Sequence, residues 1–86
     1  MKKRVVLYIN QFFAGMGGEE SAHIPPESKN TILGPGAAFT QAFGDEAEIV
    51  GTVICGDSYY GEHIEQAREE CLKRIRAFEP DCLVAG

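Results

Sequence analysis

Three apolar runs that do not alternate constrain this chain more than any other feature. They are Arg4-Val5-Val6-Leu7-Tyr8-Ile9, Glu48-Ile49-Val50-Gly51-Thr52-Val53-Ile54 and the shorter Asp81-Cys82-Leu83-Val84-Ala85. A strand with one wet face alternates apolar and polar residues. A continuous β-branched run reads instead as a strand buried on both faces, the habit of parallel sheets covered by helices. The segments between the runs fit that reading. Pro35 to Phe43 has proline at a first-turn position, Phe39, Ala42 and Phe43 at helical spacing, and Gly44 where a helix ends. From about Tyr59 to Phe78, Ile64, Ala67, Cys71, Leu72, Ile75 and Phe78 form a 3.6-period stripe. Ser58 or Asp57 can cap that helix, and Pro80 forbids its continuation. Glu69 with Lys73 and Glu70 with Arg74 form i,i+4 pairs on its solvated face. The order strand, helix, strand, helix, strand predicts an α/β fold. Its core is a three-stranded parallel sheet in the order second, first, third, with two right-handed crossover helices, half of a flavodoxin-like unit.

At 86 residues the chain has room for one domain, residues 1–86. Hydrophobic residues at 44% and charged residues at 24% are ordinary globular values and argue against disorder. A net charge of −5 argues against a generic basic nucleic-acid surface. The longest apolar runs, such as Val5 to Ile9, are too short to span a membrane. Met1-Lys2-Lys3-Arg4 starts like a signal peptide, but Asn10-Gln11 interrupts the apolar run behind it, so the expected location is cytoplasmic. Three parallel strands with two helices leave sheet edges and apolar faces uncovered. The expectation is therefore an opening segment of a larger α/β subunit, or a subunit that needs a partner.

The three cysteines are an odd set without a C-x-x-C pair, which argues against a disulfide framework and against structural zinc. Cys71, on the helical stripe, and Cys82, opening a strand, are expected to be buried and inert. Cys55 ends a strand beside Gly56-Asp57 and is expected to be partly exposed, as a packed or a reactive thiol.

Asn10 to Gly34 has no periodicity, and stretches of that length inside compact domains are uncommon unless functional or disordered. Gly15-Met16-Gly17-Gly18 follows a strand and invites a phosphate-binding reading. The match fails: Glu20 stands where the third glycine belongs, Glu19 and Glu20 repel phosphate, and Pro25-Pro26 replaces the helix. Glu19, Glu20 and His23 are close enough in sequence to share a cation, but a Gly/Pro loop does not hold ligands in register, and no metal is expected. His63 falls in the first turn of the second helix, where the dipole disfavours imidazolium. Phe12, Phe13, Met16, Ile24 and Ile32 give this stretch apolar groups that either dock on a partner or fold back to shield a sheet edge.

Two loops meet on one sheet edge in this topology, Asn10-Gln11-Phe12-Phe13 and Cys55-Gly56-Asp57-Ser58-Tyr59-Tyr60. Asn10, Gln11, Cys55, Asp57 and Tyr59 are the candidate binding residues, bringing amide, thiol, carboxylate and phenol to one place. The alternative is that Asp57 and Ser58 only cap the helix while the aromatic residues pack. No serine lies in a nucleophile motif.

The string Tyr8-Ile9-Asn10-Gln11-Phe12-Phe13-Ala14-Gly15-Met16-Gly17-Gly18-Glu19-Glu20 resembles the opening of the selenoprotein subunit of component B of glycine, sarcosine and betaine reductases. So do Ile24-Pro25-Pro26-Glu27, Leu33-Gly34-Pro35-Gly36, Gly44-Asp45-Glu46-Ala47-Glu48-Ile49-Val50, Val53-Ile54-Cys55-Gly56-Asp57-Ser58-Tyr59-Tyr60 and Pro80-Asp81-Cys82-Leu83-Val84-Ala85-Gly86. The resemblance implies reductive cleavage of the C–N bond of glycine, sarcosine or betaine by a selenol. The carboxymethyl group then passes to selenoprotein A and on to component C. It also implies companion subunits of component B, one of which carries a pyruvoyl group in the glycine and sarcosine systems. The family's selenocysteine lies downstream of the region matched here. No catalytic residue is carried over, and these residues alone are expected to lack reductase activity. Two other readings stay open: a non-catalytic module docking on companion subunits, and a small flavodoxin-like ligand-binding domain.

Overall fold

The computed structural model of the chain describes residues 2–85; Met1 of the basic start and Gly86 of the closing motif lie outside the described residues. Its centre is β1 (Lys3–Asn10), whose Val5, Val6, Leu7 and Ile9 are buried. β1 pairs in parallel with β3 (Ala47–Cys55) on one side and with β4 (Cys82–Ala85) on the other. These three strands stand in the order second, first, third along the sequence-derived runs. The sheet, however, is four-stranded and mixed, not three-stranded and parallel. β2 (Glu27–Lys29) adds antiparallel to the outer edge of β3, pairing Glu27 with Ile54 and Lys29 with Thr52. Glu27-Ser28-Lys29 has no apolar pattern of its own; it is extended because β3 offers an unpaired edge. A short charged strand behind Pro25-Pro26 also blunts that edge against further pairing.

Successive side chains of β1 point to opposite faces and build two half-cores. On one face Leu7, Ile9 and Ile54 are buried under α1 (Gly36–Phe43), through Phe39, and under Met16, Ile24 and Leu33. On the other, Val6, Val53 and Cys55 pack against Ala67, Cys71 and Ile75 of α3 (Ile64–Ala77), with Tyr8 alongside. Each fully buried aliphatic side chain is worth roughly 1.5–3 kcal/mol.

The long second helix is in fact two. α2 (Asp57–Glu62) ends at His63, whose φ of −130° and ψ of 49° leave the helical region, and α3 starts beyond it. Gly61 weakens the run, at about 1 kcal/mol relative to alanine. The two pieces also answer to different anchors. The Tyr59 N–H donates to Ala22 C=O at 2.9 Å, tying α2 to the loop, while Ala67, Cys71 and Ile75 tie α3 to the sheet. His63 is thus a junction rather than a first-turn residue. Of the expected stripe, Ile64 and Leu72 are exposed.

Two cysteines change places. Cys55 is buried and Cys82 exposed. β3 runs under α3 to its last residue, whereas β4 has β1 on one side only and most of its side chains lie exposed. Among the described residues no helix is long and apolar enough to cross a membrane.

Candidate functional site

Because the pairing of β1 with β3 runs to Asn10 opposite Cys55, the two strands end flush, and the turns that follow them lie side by side. This is the carboxyl end of the parallel strands, where open α/β sheets bind ligands. Asn10 donates from Nδ2 to both carboxylate oxygens of Asp57, at 3.1 Å each. Its Oδ1 accepts the Phe13 N–H at 2.9 Å, which folds the chain back after the strand. Gln11, only 3% exposed, accepts the Asp57 N–H on Oε1 at 3.0 Å and donates to Gly18 C=O at 3.2 Å. The expected cap is therefore inverted. Neither Asp57 nor Ser58 caps α2; Gly56 holds the cap position without a side-chain bond. Gln11 satisfies one of the orphan helix-end N–H groups from 46 residues away. The Asp57 carboxylate remains exposed, with no basic side chain within ion-pair distance among the described residues.

The loop from Gln11 to Pro26 is strapped across this edge. Gly56 donates to Ile24 C=O at 3.1 Å, and His23 Nε2 lies 3.1 Å from Glu62 Oε1. Gly56 has no substitute here, since a Cβ would stand 2.3 Å from Ala22 C=O. Gly15 to Gly18 leads into a single 3-10 turn, Glu19–Ser21, and not into the helix that a phosphate-binding loop needs. The Glu20 carboxyl is held below its ordinary range by its own backbone N–H and that of Gly18. Met16 and Ile24 fold back into the core, while Phe12 and Phe13 stay 65% and 50% exposed, edge to face at 5.7 Å. Part of the stretch thus folds back and shields a sheet edge, while Phe12 and Phe13 remain on display.

A comparison with known proteins decides the family. The model described as Glycine/sarcosine/betaine reductase selenoprotein B matches residues 2–86. The chain belongs to that family. It is 61% identical over its full length to the sarcosine reductase complex component B subunit beta of Peptoclostridium acidaminophilum. Over 99% of its length it is 53% identical to the glycine reductase complex component B subunit gamma of Carboxydothermus hydrogenoformans. Over 98% it is 34% identical to the betaine reductase complex component B subunit beta of Peptoclostridium acidaminophilum. The chain spans about a fifth of the length of these curated relatives. No solved structure matches it.

Within this chain, the sequence-derived candidates separate. Asn10, Gln11 and Asp57 are interlocked. Tyr59 stands only two residues beyond Asp57 in α2 and packs toward the α3-side core, its ring 4.7 Å from that of His63. Cys55 is not partly exposed as expected: it lies beneath the edge, and burial, followed by the proximity of Cys71, pushes its thiol up to about 11. The concave surface is set aside from the polar cluster. A cleft of about 460 Å³ runs between Pro25, Pro26 and Tyr59 on one side and Gln66, Glu69 and Arg74 on the other. Sequence reasoning missed Gln66 and Arg74, because their approach to the proline pair is set by tertiary packing. The proline pair itself was the available signal.

Proposed function

We propose that this chain forms the N-terminal α/β part, residues 1–86, of a cytoplasmic component B subunit, and that the cluster at its carboxyl sheet edge holds the amine substrate. The observation that carries this is the exposed Asp57 carboxylate, fixed by Asn10 and Gln11 at the flush ends of β1 and β3. A carboxylate oriented by two amides and free of a basic neighbour among the described residues suits the ammonium end of glycine, sarcosine or betaine. Cleavage of the C–N bond falls to the family's selenol, which would come from elsewhere in the subunit. Cys55 does not stand in for it, being buried and protonated at neutral pH. Companion subunits of component B, one bearing the pyruvoyl group, selenoprotein A and component C complete this reading.

The test is Asp57→Asn in the intact component B complex, assayed for substrate-dependent amine release with selenoprotein A supplied. The expected result is a rise in KM of at least ~10-fold, the loss of about 1.4 kcal/mol of binding, with unchanged thermal stability. An unchanged KM and kcat would overturn the reading. The exposed Phe12 and Phe13 pair favours a second reading, in which this face docks on a companion subunit. Phe12→Ser would then release the companion in gel filtration, whereas the amine-site reading leaves the complex intact.

A further inference from the structure

We propose that the groove between α3 and β4 seats an amphipathic helix that follows β4 in the full-length subunit and leads to a fifth parallel strand on the free side of β4. The proposal concerns the continuation of the fold, so it stands whether or not the amine site does. Four observations converge on it.

Cys82-Leu83-Val84-Ala85 has the unalternating composition of a strand buried on both faces, yet Leu83 is 46% exposed and Cys82 and Ala85 are exposed too. The face that Leu83 shares with Val6, its partner in the ladder, is open beside α3. There a groove of about 320 Å³ is lined by Tyr8, Tyr60, Cys71, Leu72, Ile75 and Leu83, with Arg68 its one charged side chain. Leu72 is 39% exposed although it lies on the apolar stripe of α3. The occupant therefore has an apolar face, with an acidic residue opposite Arg68.

Handedness says which face the next connection must take. α1, joining β1 to β3, covers the face of Leu7 and Ile9; α3, joining β3 back across β1 to β4, covers the face of Val6 and Val53. The two connections run in opposite lateral directions, so the right-handed rule places their helices on opposite faces, as found. A connection continuing outward from β4 runs in the same lateral direction as the one from β3 to β4. A right-handed crossover then puts its helix on the α3 face, directly over β4 and beside Leu72. That is where the groove lies. Finally, the chain spans about a fifth of its relatives' length, so a full-length subunit has polypeptide to supply the segment.

The test uses the full-length subunit without companion subunits, carrying Leu72→Cys or, as a solvent-facing reference on the same helix, Lys73→Cys. Maleimide labelling is read site by site by mass spectrometry across a range of protein concentrations. The expected result is labelling at Leu72→Cys slowed by ~100-fold or more against Lys73→Cys, independent of concentration. Equal rates would overturn the proposal. So would slowing only at high concentration, which assigns the groove to a second copy, or slowing only after companion subunits are added. Should Leu72→Cys fail to fold, hydrogen exchange on the unsubstituted subunit decides: protection throughout residues 82–85 is expected, and open-strand exchange there would refute the fifth strand.

Discussion

Gln11 shows how one side chain can substitute for local chemistry. It lies in the turn after β1 and closes hydrogen bonds with Asp57 N–H and Gly18 C=O, linking the glycine turn to the start of α2. Truncation would leave both groups, in a part-buried site, without their partner, at a cost of about 1–3 kcal/mol where water does not replace it. Gln11→Ala is therefore expected to lower the unfolding free energy obtained from urea titration by that amount. A loss below ~0.5 kcal/mol, ordinary for a surface substitution, would show that water replaces the amide. The pairing of Asn10 with Asp57 could be anticipated from topology, because two loops at one sheet edge must meet. The role of Gln11 could not, since a remote cap has no spacing signature.

At the level of elements, the most specific contact joins β3 to the end of α3. The β1–β3 register slips between Val5 and Val6, leaving Val50 as the extra residue and Gly51 opposite Val6. The Phe78 ring sits on the bare Gly51 backbone, where a Cβ would approach it to 2.3 Å. Gly51→Ala should therefore destabilise the fold by about 1–3 kcal/mol, the usual range for overpacking, and Phe78→Leu in the same chain should restore part of the loss. Additive losses in denaturant titrations would sink this account. Arg4 fixes the same junction from the other side: Nη2 donates to Phe78 C=O at 2.7 Å, and its N–H donates to Asp81 Oδ2 at 2.7 Å. The three parallel strands and α1 were legible because their signals are local: unbroken apolar runs, a first-turn proline, a terminal glycine. β2 and the break at His63 were not: β2 has no apolar pattern of its own, and Gly61 weakens the helix beside His63 without by itself ending it. β2 depends on a free edge of β3, and beyond the break α2 and α3 answer to different anchors, the loop at Ala22 and the sheet.

Across the whole molecule, the α3 face gathers three groups that lose a proton to become charged. Burial, then nearby Cys71 and Cys55, pushes the Tyr8 phenol far up; burial, then Cys71, takes Cys55 to about 11; burial also raises Cys71. A raised folded-state value means that the unfolded chain releases its protons first. The stability from this cluster is thus complete below the ordinary thiol value of about 8.5 and is lost as pH rises toward 11. Urea midpoints under reducing conditions should fall over that window, and Cys55→Ala should flatten the fall; an equal slope in the variant would refute the cause given. The central place of β1 has a consequence for biosynthesis. Its partners β3 and β4 both come later, β4 at residues 82–85. At a translation rate of about 5–20 residues per second, Val5 to Ile9 wait roughly 4–16 seconds between synthesis and the arrival of β4. During that interval the stickiest strand of the molecule has at best one neighbour, which makes the nascent segment a natural client for chaperones that bind short extended apolar peptides.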